Sequence, residues 1–260
     1  NGVDSRVQVI IGFKPHHNVP AVMTRHLPVD DKQLAGDLDA IRGMGLEPQP
    51  LFTRSSEEIA AERKAAPSGD YPNLNRWARV SVGSKQEARE AVEMLRQLPS
   101  VDTAYVRPKV YPAAIFADVE PAKTPKFVRQ QGYLKRSPDG LSAKWAWRRK
   151  NVKGNGVTVA DIEGDWNAGH HDLRSAKDNK IDGVRVGSAL WYDHGTAELG
   201  LVAGSRNKYG ITGIAFKADL LMYSIFRKDE DGDTFENIAD AIDRAASTLK
   251  PGDIIYLPIE

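Results

Sequence analysis

Two short segments gather side chains that could exchange protons with a bound substrate. Residues 154–173, GNGVTVADIEGDWNAGHHDL, set Asp161 and Glu163 at the end of an apolar run, beside the turn-forming Gly164 and Asn167. Residues 193–204, DHGTAELGLVAG, set His194 and Gly195 immediately before an apolar stretch. An acid at the end of a buried strand is costly unless it finds a partner. In open α/β sheets, ligands and reacting groups collect beyond the carboxyl ends of the strands, which makes the place suggestive. Plainer uses compete with this one: the acid can cap the following turn, and a lone histidine before a helix can be structural. Gly195 permits a close backbone approach, and Thr196 can help satisfy the helix start. Side chains on a strand alternate, so Asp161 and Glu163 point to the same side and either could approach His194. Asp165, a third acid, reads as a turn residue.

Weaker signals point to metals. Asp229, Asp231 and Asp233 have the spacing of calcium ligands. Thr234 stands where an EF-hand loop needs glycine, however, and Asp240 where it needs glutamate. A solvated loop whose charge favours the next helix's N-terminus is the plainer reading. The pairs His16–His17 and His170–His171 have no HExxH pattern beside them and no further ligands at metal spacing, so they read as surface or turn histidines. Trp145, Trp147, Trp166 and Trp191 read as core packing.

The elements that must position these residues follow from periodicity. In the first half, Val7, Val9, Ile11 and Phe13 alternate with other residues and stop before Pro15, the pattern of a half-buried strand. Asp30 or Asp31 can cap a helix carrying Leu34, Leu38 and Ile41, and Gly43 or Gly45 can end it. Residues 46–52 could form a second strand. Residues 55–75 read as an inserted loop with a short helical stretch around Ile59. Ala78, Val80 and Val82 mark a third strand, and Ser84 with Glu87 makes a capping box. Ala88, Ala91, Val92, Leu95 and Leu98 stripe the next helix, and residues 101–110 close the unit as a strand. The order strand, helix, strand, strand, helix, strand describes a ferredoxin-like sandwich. Residues 113–137 read as a linker, with the boundary near residue 116.

The second half alternates differently. Strands are expected at 157–162, 219–225 and 253–257, with one helix after His194 and another at 235–249 whose N-cap would be Thr234. That alternation argues for a parallel sheet covered by helices.

Composition narrows the function. Lys and Arg number 36 against 35 Asp and Glu, a formal charge of +1, so neither nucleic acid nor an anionic membrane is indicated as a partner. No apolar run reaches the roughly 18 residues of a membrane span. The absence of cysteine excludes disulfides, thiol catalysis and cysteine-based zinc sites.

With these residues in view, the sequence resembles the subtilisin-like (subtilase) serine peptidases. The segment 154–173 looks like the family's aspartate segment and 193–204 like its histidine segment. GITGIAFKADLLMYSIF is similar to the stretch leading into the substrate-cleft strand. ARVSVGSKQEAREAVEMLRQLPSVDTAYVRP resembles the family's N-terminal inhibitory prodomain. The resemblance implies an α/β fold: a ferredoxin-like α+β prodomain at 1–116, then at 117–260 the N-terminal half of a three-layer, parallel-sheet catalytic domain. It implies a serine endopeptidase acting on polypeptides, made as a zymogen whose prodomain assists folding and contacts and blocks the catalytic domain. It also implies an extracellular or periplasmic location, and no required cofactor. Asp172 resembles a position that in some family members contributes to a structural calcium site.

By the same resemblance His194 is the general base and a carboxylate fixes its tautomer. Ungapped alignment places Glu163 where the family has aspartate, with Asp161 the alternative. Tyr256, Leu257 and Pro258 fall where family members line the substrate cleft, although Pro258 lacks an N–H and Glu260 replaces a small residue. No Gly-Thr-Ser-x-Ala segment occurs before Glu260. The serine is therefore expected on a C-terminal piece of the same peptidase, missing here or separate. The rival expectation is a pseudopeptidase or an inhibitor or binding module without catalysis.

Overall fold

The computed structural model describes residues 6–23, 31–66, 71–108, 124–176, 180–229 and 232–259, and these fall into two compact units divided between residues 108 and 124. The expected boundary near residue 116 lies outside the described residues, as do Glu260, Asp231 and Asp30.

The first unit opens with β1 (Val7–Phe13) and the short α1 (Val19–Met23). Next come α2 (Lys32–Gly43), β2 (Gln49–Pro50), α3 (Ser56–Ala65), β3 (Trp77–Val82), α4 (Lys85–Leu95) and β4 (Val101–Val106). The strands make one antiparallel sheet in the order β2-β3-β1-β4. Leu34, Leu38 and Ile41 of α2 join Ala88, Ala91, Val92 and Leu95 of α4 against Val9, Ile11, Val80 and Ala104 in a single core. The stripes read from the sequence are therefore the faces that pack. Asp31 caps α2 by accepting from the Leu34 N–H at 3.1 Å. Ser84 caps α4 by accepting from the Glu87 N–H at 3.1 Å.

Three expectations for this unit need correction. β1 is buried along both faces rather than one: Gln8 and Ile10 are buried on the second face, where the Trp77 ring lies over Gly12. The second strand shrinks to two residues, since Pro50 has no N–H with which to extend the ladder. The short helical stretch expected around Ile59 extends to a ten-residue helix. Ser55 and Glu58 form its capping box, Arg54 bonds Glu62, and Ile59 is its buried anchor.

In the second unit the short α5 (Ala143–Ala146) precedes β5 (Thr158–Glu163), β6 (Ile181–Asp182) and α6 (Ala189–Ala203). β7 (Asp219–Ser224), the hairpin β8 (Phe226–Lys228) and β9 (Thr234–Glu236), α7 (Ile238–Thr248) and β10 (Ile254–Tyr256) follow. The parallel sheet runs β10-β5-β7-β6. One face carries Val159, Leu220 and Met222 against Leu199 and Ala203 of α6. The other carries Ala160, Ile162 and Tyr223 against Ala241 and Ala245 of α7. This is a mixed α/β architecture built on a parallel sheet with helices on both faces, in keeping with the subtilisin-like arrangement expected.

Two helix starts move. α6 begins before His194 rather than after it, so the histidine sits mid-helix. α7 is capped by Asn237, whose side chain accepts from the Asp240 N–H at 3.2 Å. Thr234, expected as the cap, instead pairs with Lys228 in the hairpin. Asp229 and Asp233 close that hairpin, with the Asp233 N–H donating to the Asp229 carboxylate at 2.9 Å.

Candidate active site

The alternation of β5 decides which side chains meet α6. Val159, Asp161 and Glu163 share the face that α6 covers, while Ala160 and Ile162 face α7. Both acids are fully buried. Their fates then separate. Glu163 at the strand's end places Oε1 2.5 Å from His194 Nδ1, and its other oxygen accepts from the Gly164 N–H at 3.1 Å. Asp161, one pleat earlier, accepts from the Trp166 indole N–H at 2.6 Å, and its Oδ1 has no hydrogen-bond partner among the described residues. Of the two alternatives, the structure brings Glu163 to the histidine and turns Asp161 to the tryptophan.

Two glycines let α6 come this close. A Cβ on Gly195 would lie 2.4 Å from the Asp165 carbonyl oxygen, and one on Gly164 would lie 2.4 Å from the Trp191 ring. Neither contact is sterically tolerable, so helix and turn interlock only without side chains there. Thr196 adds a bolt by accepting from the Asn167 N–H at 2.8 Å while donating to the Tyr192 carbonyl. Asp165 holds the turn itself, accepting from Arg185 and from the Gly187 N–H, both at 2.8 Å.

Desolvation dominates the electrostatics. Burial, with help from the neighbouring Asp161 charge, pushes the Glu163 carboxyl up to about 9. Burial pushes Asp161 up to about 8, against the Trp166 hydrogen bond and with a further push from Glu198. Burial also pulls the His194 imidazole down, and the Glu198 charge pulls it back up. Glu163 Oε1 and His194 Nδ1 are joined by one short hydrogen bond. In the arrangement with Nδ1–H donating to the carboxylate, Nε2 is an acceptor.

Glu198 escaped the sequence reading. It lies one helical turn beyond His194, with Oε1 3.8 Å from Nε2, and its other oxygen accepts a hydrogen bond from the Tyr256 hydroxyl. The signal was there: an acid at i+4 from the histidine, immediately before the apolar run LGLVAG. Of the expected cleft residues, Tyr256 ends β10, an edge strand among the described residues, and turns its hydroxyl to Glu198. Leu257 beyond it is exposed and Pro258 half-buried.

Among the described residues no group of three His, Cys, Asp or Glu side chains is disposed to hold a metal ion. Both Asp172 oxygens are engaged by protein donors, one by the Asn207 amide and one by the Ile211 N–H. His170 and His171 stack on each other, and the His170 ring accepts from the Asp172 N–H. Trp166 and Trp191 are core residues, whereas Trp145 is half exposed with Arg149 over its ring. No helix among the described residues is long and apolar enough to cross a membrane.

Comparison with known proteins places this geometry in a class. Residues 154–255, which contain both acids, the histidine and most of β10, match the subtilase family, Peptidase_S8. It is this stretch of the second unit that is similar to the subtilisin-like serine peptidases. An "Intracellular serine protease" of Paenibacillus polymyxa is 28% identical over 118 residues, 43% of this chain and 36% of that protein, so the chain spans about a third of this relative's length. Fervidolysin from Fervidobacterium pennivorans, a keratinolytic enzyme related to subtilisin, superposes with a TM-score of 0.43 at 13% identity, covering 87% of this chain and 31% of that one. The epidermin leader peptide processing serine protease of Staphylococcus aureus gives 0.46 at 11%, covering 98% and 50%.

Proposed function

We propose that this chain supplies the acid and the base of a serine endopeptidase, Glu163 and His194, to a catalytic serine. The carrying observation is the 2.5 Å contact between Glu163 Oε1 and His194 Nδ1 at the carboxyl end of β5. In this reading Glu163 accepts the Nδ1–H, fixes the tautomer and stabilises the imidazolium. His194 Nε2 takes the proton from the serine hydroxyl as its oxygen attacks the peptide carbonyl, then returns it to the leaving amine. Glutamate is one methylene longer than the family's aspartate. The glycine-permitted approach of α6 to the turn at Gly164 sets the spacing that this longer acid must span.

The first unit we read as the ferredoxin-like inhibitory prodomain. The sheet order β2-β3-β1-β4, with α2 and α4 packed into one core with it, supports that reading. Tyr256 ends β10 at the sheet's edge among the described residues and Leu257 and Pro258 follow it, where an extended substrate could add as a strand. The Paenibacillus relative is named as intracellular, while the family resemblance implied export for this chain. Assaying cell and culture-fluid fractions for the mature protein decides the compartment.

Treating the full-length protein with a fluorophosphonate and measuring intact mass tests the assignment. Labelling at one serine, abolished by His194→Ala, is expected. A folded full-length protein that takes no label is a binding protein on this fold, and the peptidase reading falls.

A further inference from the structure

We propose that Glu198, anchored by Tyr256, is a positioning residue that faces the Nε2 edge of His194 and holds the imidazole between two carboxylates. The inference deepens the peptidase reading and rests on it for its functional meaning, though not for its geometry. Glu198 is on the same face of α6 as His194, one turn on, and its side chain is only 18% exposed. A glutamate on the outer face of a helix would reach water or a lysine. Here, among the described residues, the only ion pair of Glu198 is to the histidine. Its second oxygen takes the hydroxyl of a tyrosine 58 residues away, whose Cα pairs with that of Asp161 across β10 and β5. The tyrosine removes the freedom that would otherwise let the carboxylate swing out to solvent.

Each element around the imidazole contributes a known group. β5 presents Glu163 to Nδ1 and, one pleat earlier, the acid Asp161. α6 presents Glu198. β10 presents Tyr256, whose hydroxyl is raised out of its ordinary range by burial and by Glu198. β7 presents the apolar Leu220 and Met222 to this face, and its Ser224 pairs in register with Glu163. The described residues bring no Lys or Arg into an ion pair with Glu163 or Glu198. Among the described residues His194 is thus the cationic partner of both Glu163 and Glu198, and a carboxylate on its Nε2 side favours the charged form of the imidazole.

Three consequences follow. Glu198 raises the pH at which His194 becomes a neutral base. It assists the same charge when that charge forms during attack on a peptide. It also limits rotation of the ring away from Glu163.

The test is an NMR titration of the His194 Cε1 resonance in the 260-residue chain, which requires no peptidase activity. Glu198→Gln is expected to lower the His194 pKa by about one unit, a tenfold change in its acid constant. Tyr256→Phe, which keeps the acid but frees it, is expected to lower it by a smaller amount. If the glutamine variant does not fold, the phenylalanine variant decides. An unchanged or raised value in the variants that fold overturns the proposal. In the full-length protein, the acid limb of kcat/KM should move to lower pH by the same interval in Glu198→Gln. A titration that shifts in a protein refusing fluorophosphonate keeps the Glu198 contact and discards the peptidase.

Discussion

Replacing Asp161 by asparagine should stabilise the second unit, and the gain should grow with pH. The carboxyl is fully buried, has one hydrogen bond from Trp166, and leaves Oδ1 without a partner among the described residues. Burial raises its pKa from 3.8 to about 8. Between those values the folded chain keeps a proton that the unfolded chain has released, so stability falls as pH rises through that window. At about 1.4 kcal/mol per unit, moving from about pH 4.5 to about pH 7 costs the wild type roughly 3 kcal/mol at this one site. Asparagine retains an acceptor for the indole N–H and has nothing to ionise. Its buried amide N–H groups cost about 1–3 kcal/mol, but that penalty does not vary with pH. Urea unfolding of both proteins at the two pH values isolates the effect as a difference of differences. An advantage for the asparagine variant that rises by about 3 kcal/mol supports the reasoning. A difference flat with pH refutes it, because Asp161 would then be ionised in the folded state or out of contact with the apolar face.

Two further substitutions test the packing. Gly195→Ala should destabilise by about 1–3 kcal/mol or more, since the new methyl meets the Asp165 carbonyl at 2.4 Å and the Trp166 ring at 2.8 Å. A thermal melt equal to wild type contradicts that interlock. Leu38→Ala should cost about 2–5 kcal/mol in urea, because Leu38 is buried in the core shared by α2, α4 and the first sheet. A loss below about 1 kcal/mol would mean that this core is not closed as described.

How much could be read from the residues differs by element. The stripe of α4 and the alternation of β3 were plain, because each element buries one face and its sequence period reports that face. That an acid at the end of β5 meets His194 was legible because the two segments keep the order of the family segments they resemble. The choice between Glu163 and Asp161 was not, since strand alternation puts both on one side and only Trp166, five residues on, settles where Asp161 turns. The start of α6 was misjudged because its first turn has no side-chain cap to announce it. Thr234 was mistaken for a cap because the β8–β9 hairpin, a long-range pairing of short segments, leaves little periodic trace. Glu198 was passed over because its meaning depends on Tyr256, which the chain brings in only from 58 residues away.

The account stands on Glu163 being the acid that orients His194, and the steady-state kinetics of the full-length protein measure this directly. Glu163→Gln should lower kcat by about 10⁴ with the fold intact, as expected when the histidine's acid becomes an amide. Asp161→Asn should change it by less than about tenfold, since its contact is to Trp166. The opposite order, with Asp161→Asn inactive and Glu163→Gln nearly unaffected, would contradict the assignment.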